Sequence, residues 1–138
     1  MGYTNFYSFK RVAKNIENGA EKFAAASRAA KKCIEEKTDL VLAGGLGDGE
    51  PEFTDTTVWF NGPNKTEESA ETLLIELDRC RSGFCKTNRC PYDLAVCITL
   101  LCFKHFFGKD FTFSSDGDIK NGEENWGKAQ EIVKEYFS

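Results

Sequence analysis

Phe84-Cys85-Lys86-Thr87-Asn88-Arg89-Cys90-Pro91-Tyr92-Asp93 reads as a short strand, a polar junction and the opening of a helix. Behind it, Leu94, Ala95, Val96, Cys97, Ile98, Leu100, Leu101, Cys102, Phe103, Phe106 and Phe107 leave almost no polar face. A helix that is apolar all round is one the rest of the chain must bury. Pro91 suits the first helical position, where its missing N–H is no loss. Cys90 would then be the cap, and Asp93 would take the third position, favourable for a carboxylate. Gly108 supplies the stop. With Lys104 and His105 inside it, the run from Pro91 to Phe107 is a poor membrane span. The junction sets Lys86, Arg89 and free backbone N–H groups at the mouth of this helix, an anion-binding geometry.

Working outward, Tyr3 to Phe9 alternates, with Tyr3, Asn5, Tyr7 and Phe9 on one face and Thr4, Phe6 and Ser8 on the other. Asn18 and Glu21 form a capping-box start for a helix whose stripe is Phe23, Ala26, Ser27, Ala30, Cys33 and Ile34. Small residues on that stripe predict close packing against a sheet. Asp39 to Ala43, Thr56 to Phe60, Thr72 to Asp78, Phe84 to Thr87 and Asp110 to Ser115 complete the strands, the second and third of these pairing as a hairpin. Asn121 caps a last helix carrying Trp126, Ala129, Ile132, Val133, Tyr136 and Phe137 at helical spacing. The order β-α-β-β-β-β-α-β-α is α+β. The expectation is one domain, 1–138: a mostly antiparallel sheet of five or six short strands packed with about three helices, one central and buried.

The 138 residues are 41% hydrophobic, enough for one core, and the net charge is −4. That charge argues against general nucleic-acid binding, which needs a positive field. Met1 to Arg11 is aromatic and polar rather than basic and then apolar, so a cytoplasmic protein with reduced thiols is expected. Cys80, Cys85, Cys90, Cys97 and Cys102 fall at intervals of five, five, seven and five, none a zinc-ligand spacing. Structural thiols are the plainer reading; the sharper one is a reactive Cys85 or Cys90, its pKa lowered by Lys86, Arg89 and the helix N-terminus.

Candidate chemistry is sparse. The single histidine, His105, sits about 20 Å along the helix from Cys85 or Cys90, too far for a Cys–His pair. Asp48, Glu50, Glu52 and Asp55 surround a glycine loop, Gly44 to Pro51, which fits neither a dinucleotide nor a nucleoside-triphosphate fingerprint. Those acids either collect a divalent cation or mark exposed turns. The loop either brings the backbone of Gly45 and Gly47 against a ligand or only turns the chain. Lys86, Thr87, Arg89, Tyr92 and Asp93 are the leading polar group. The cations and hydroxyl offer charge-assisted bonds to phosphate, and Tyr92 offers a ring for a base. The alternative is an Arg89–Asp93 pair beside a tyrosine that merely packs.

Gly2-Tyr3-Thr4-Asn5-Phe6, Gly44 to Pro51, Phe60-Asn61-Gly62, Phe84 to Asp93, Ser115-Asp116-Gly117 and Trp126 together resemble a family of small uncharacterised bacteriophage and prophage proteins. Members open Gly-Tyr-Thr-His-Tyr and carry a Phe-Cys-Lys-Thr-x-Arg-x-Pro-Tyr-Asp motif; Asn5 stands where they usually have histidine. The resemblance implies a phage origin and, for a protein of this size, action against host defence from the host cytoplasm. Joined to the anionic site, it gives the leading expectation: a binding protein that sequesters a phosphorylated nucleotide-derived immune signal, a cyclic nucleotide or ADP-ribose-like molecule. Lys86 and Arg89 would hold phosphate, with Tyr3, Asn5, Trp59 or Tyr92 on base or ribose, and Gly45, Gly47 and Asp116 as further contacts. No cofactor, metal or membrane is called for, and a homo-oligomer is admitted. The alternatives are a nucleotide phosphodiesterase or other hydrolase using Glu50, Asp93 and Asp116, and a protein-binding inhibitor of a host enzyme.

Overall fold

Alternation in the first strand decides the inner layer. β1 (Thr4–Phe9) turns Asn5, Tyr7 and Phe9 inward and Phe6 outward. It lies in the middle of a three-stranded antiparallel sheet, between β5 (Ser82–Lys86) and β6 (Phe111–Ser115), with Phe6 opposite Phe84 on one side and Ser114 on the other. A second antiparallel sheet joins β2 (Glu52–Phe53), β3 (Thr57–Phe60) and β4 (Leu73–Glu76), Trp59 facing Leu74. Three helices complete the α+β fold: α1 (Gly19–Lys37), α2 (Asp93–Phe107) and α3 (Trp126–Phe137). The computed structural model describes residues 2–79 and 81–138, so Cys80 lies outside the described residues.

The order of elements is the expected one, but the six strands divide between two sheets. The strand expected at 39–43 does not form. Only Ala43 bridges, to Asn61, while Val41 is exposed and Leu40 and Leu42 pack partly against the core. The strand that pairs with this edge of β3 is instead Glu52–Phe53, after Pro51.

Aromatic rings fill the space between the first sheet and α2. Phe9 meets Phe107 and Phe111 at 5.0 Å in edge-on contacts, and Phe23 of α1 meets Phe103 at 5.1 Å. Such pairs contribute beyond their area burial. Leu94 to Leu100, Cys102, Phe103 and Phe107 of α2 are buried, whereas Leu101 and Phe106 are partly covered and His105 is exposed, stacked on Phe137 at 3.7 Å. The small-residue stripe of α1 packs on α2, where a sheet was expected; Ala26, Ala29, Ala30 and Cys33 let the two helices approach. Among the described residues no helix is long and apolar enough to cross a membrane.

Two helix starts shift. Cys90 O accepts from Asp93 N–H at 2.9 Å, so Pro91 and Tyr92 form a turn and α2 begins at Asp93. α3 begins at Trp126, because Gly122 and Glu124 take positive φ of 70° and 57° and interrupt the helix expected from Asn121. The Asn121 amide bonds back to Asp118.

Candidate functional site

The junction between β5 and α2 is a tight turn with unusual backbone. Thr87 N–H donates to Tyr3 O at 2.9 Å, and Cys90 N–H closes on Thr87 O at 3.0 Å. Between them Asn88 and Arg89 both take left-handed φ, 53° and 63°. A turn with positive φ at both central residues prefers Asn-Gly. Asparagine meets that preference, whereas arginine stands where glycine would be unstrained. The Arg89 guanidinium lies 4.5 Å from the Tyr3 ring centroid, and its Nε donates to Glu124 at 3.0 Å. Glu124 is itself a positive-φ residue. Both terminal nitrogens of Arg89 are left without hydrogen bonds among the described residues, on an exposed side chain.

Beneath this turn lies a buried polar cluster around Asp93, which is fully buried. One carboxyl oxygen accepts from Asn5 Nδ2 at 2.7 Å and from Thr87 Oγ1 at 2.6 Å. The other accepts from Asn125 Nδ2 at 2.9 Å, with Cys97 Sγ at 3.6 Å. Ser115 Oγ donates to Asn5 Oδ1 at 2.6 Å, meets the Tyr3 hydroxyl at 3.2 Å and accepts from Gly117 N–H at 3.1 Å. Gly117 is required there, since a Cβ would lie 2.2 Å from the Tyr3 oxygen. Trp126 is buried beside Gly117, its Nε1 directed at the Tyr3 hydroxyl beyond good hydrogen-bond geometry. The cluster ties β1, the junction, the end of β6 and the approach to α3 to the first residue of α2. It is a buried polar network with its donors matched to a single carboxyl group.

The expected site residues therefore divide. Tyr3, Asn5, Thr87 and Asp93 come together, but buried, facing one another rather than solvent. Of the free N–H groups expected at the helix mouth, those of Cys90, Asp93 and Leu94 are taken by the Thr87, Cys90 and Pro91 carbonyls. The anion at this N-terminus is the chain's own Asp93. Tyr92 packs in the core, edge-on to Phe60, and its hydroxyl donates to Glu71 O, so its ring is not offered to a base. The possible Arg89–Asp93 pair is replaced by Arg89–Glu124. Asp116 is exposed and accepts from Thr4 N–H at 2.9 Å. Lys86 projects from the outer face of β5, its stem across Gly2, while its backbone pairs with Glu71.

Gly45, Gly47 and Trp59 belong to a different place. Trp59 lies on Gly45 so closely that a Cβ would sit 2.0 Å from its Nε1, and Thr72 Oγ1 donates to Gly45 O. Gly47, at φ 87°, packs against the Asn64 amide, and its carbonyl accepts from Asn64 N–H at 2.8 Å. This loop's contacts are with its own chain. Glu50 lines a groove of about 350 Å³ with Leu40, Leu42 and Phe53, away from Asp93 and Asp116. The acids around the loop do not gather: among the described residues no three His, Cys, Asp or Glu side chains converge as a metal site.

Neither candidate thiol, Cys85 or Cys90, is activated. Burial first, opposed by the hydrogen bond with Tyr92 and joined by the Asp93 and Glu71 carboxylates, pushes Cys85 up to about 12. Burial and then the Asp93 carboxylate push Cys97 up, and burial with Glu68 and Asp93 raises Cys90. The neighbours that matter are thus acids and apolar walls, not Lys86 and Arg89.

Sequence reasoning missed Ser115, Glu124 and Asn125, which long-range folding brings in, and two aromatic residues on the outer face. Phe6 and Phe84 are 42% and 61% exposed, and alternation had already set Phe6 opposite the inward residues of β1. No family model, curated protein or solved structure matches this chain, so its own geometry carries the functional reading.

Proposed function

We propose that the chain is a binding protein that holds a phosphorylated, nucleotide-derived molecule without altering it, its phosphate taken by Arg89 and Lys86. The observation that supports this is the Arg89 fork. It lies over the Tyr3 ring with Glu124 at Nε, and among the described residues both terminal nitrogens remain for a bidentate acceptor. A pre-oriented guanidinium loses little freedom on binding phosphate. The exposed Glu124 contact is a weak competitor. Strained backbone at Arg89 and at its partner Glu124 fits the same reading, because such strain gathers at ligand clamps and active sites.

Holding rather than hydrolysing is supported by the fate of the acids. Asp93 is spent on internal hydrogen bonds, Asp116 is bonded to the Thr4 backbone, and Glu50 is elsewhere. With the phage resemblance, the fuller proposal is sequestration of a nucleotide immune signal in a host cell. The test is to purify the chain from cells making ADP-ribose-like or cyclic nucleotides, release bound material by heat and weigh it by mass spectrometry. An intact phosphorylated nucleotide is expected. Recovery of only its hydrolysis products would replace binding with catalysis.

A further inference from the structure

The outer face of the first sheet presents Thr4, Phe6 and Ser8 from β1, Ser82, Phe84 and Lys86 from β5, and Thr112 and Ser114 from β6. Phe6 and Phe84 are direct cross-strand partners, their ring centroids 6.4 Å apart and tilted by 43°. The aromatic core lies on the other side of the sheet, so neither ring is needed there for packing. Lys86 is the cation that β5 adds to this face, with acids at the edges: the Glu71 carboxylate accepts from Lys86 N–H and Asp116 from Thr4 N–H, each at 2.9 Å. Lys86 stands two residues from Phe84 on the same strand, about 7 Å along it. Beside Phe6 runs an open groove of about 260 Å³ lined by Phe6, Tyr7, Ser8, Thr112, Phe113 and Ser114.

We propose that Phe84 and Phe6 form a stacking platform for a nucleobase whose phosphate reaches Lys86. This rests on the reading of Lys86 and Arg89 as phosphate ligands and adds what selects the rest of the molecule. Aromatic rings on an open sheet accept the π face of any base. The surrounding serine and threonine hydroxyls both donate and accept, as the edges of a base or ribose require. The Lys86 ammonium suits a phosphate. A folded protein partner is a poorer fit, since two rings among hydroxyls are far less than the apolar centre of a stable interface. The groove is also smaller than the roughly 300–1,000 Å³ of a pocket for larger ligands, which suits one planar ring system.

The test titrates wild type, Phe84→Ser, Phe6→Ser and Phe84→Tyr with adenosine, ADP and inorganic pyrophosphate, following phenylalanine ring signals by NMR and affinity by calorimetry. Adenosine and ADP should shift the Phe6 and Phe84 rings. Phe84→Ser should weaken ADP by about 5- to 150-fold, the range for one stacked base, and leave pyrophosphate unchanged, while Phe84→Tyr keeps ADP affinity. Ring signals that adenosine does not move would overturn the platform. So would serine variants that weaken ADP and pyrophosphate alike. If pyrophosphate fails to bind wild type while adenosine still moves the rings, the phosphate site falls and the platform stands. A dimer of this chain that Phe84→Ser dissociates would assign the face to a second copy and overturn the proposal.

Discussion

Asp93 is the residue on which distant parts of the chain converge: Asn5 from β1, Thr87 from the junction and Asn125 from the approach to α3. Removing it strands several buried donors at once. Asp93→Ala should therefore cost about 3–5 kcal/mol, as when one partner of a buried charged network is deleted. Asn125→Ala, which removes one donor, should cost about 1–2 kcal/mol. Urea midpoints measure both, and an Asp93→Ala variant within error of wild type would show that the cluster does not hold the fold. Part of this was legible in the sequence, since alternation sets Asn5 among Tyr3, Tyr7 and Phe9, and a polar side chain on an aromatic face must find a partner. Which partner was not legible. Ser115 and Asn125 lie more than a hundred residues further along, and nothing in their local sequence marks them. The exposure of Phe6 and Phe84 was hidden for a related reason: alternation assigns a face, but only the assembled fold decides whether that face is covered.

At the scale of elements, α2 was the most legible part, because a long apolar run admits few placements. Its start was less so. A proline suits both a first helical turn and the second position of a β-turn, and the Asp93 N–H bond to Cys90 O selects the turn. The extended segment at 39–43 shows the opposite failure, where strand-like composition makes only the single bridge of Ala43 to Asn61. The junction of β5 with α2 also makes a pH prediction. Cys85 stays protonated in the folded chain up to about 12, and burial raises Cys97, Tyr92 and Tyr3 in the same direction. Above about pH 8.5, where an unfolded thiol ionises, the unfolded chain binds fewer protons than the folded one. Stability should accordingly be level below that pH and fall as pH rises toward 12. Denaturation midpoints across that window check the sign; a midpoint that rises with pH would mean these groups are not buried as described. Absorbance of ionised tyrosine should likewise show Tyr3 and Tyr92 titrating only as the chain unfolds.

At the scale of the whole molecule, a chain of net charge −4 carries two exposed cations, Lys86 and Arg89, where β5 turns into α2. Total charge argues against a general polyanion surface but says nothing of one exposed arginine. The sequence named Arg89 and Lys86 as phosphate ligands beside an open helix N-terminus, and the folded chain fills that terminus with Asp93. The proposed ligand is left the outer rim: the Arg89 fork, Lys86 and the exposed rings. Arg89→Gly separates the two claims made for this residue, because glycine relieves the left-handed backbone while deleting the fork. Calorimetry of wild type and Arg89→Gly against ADP and inorganic pyrophosphate, alongside their urea midpoints, is the most direct measurement. The account predicts a variant that folds at least as stably as wild type and binds both anions about tenfold or more weakly. Equal affinity in the two proteins would contradict it, as would a wild type that binds neither anion.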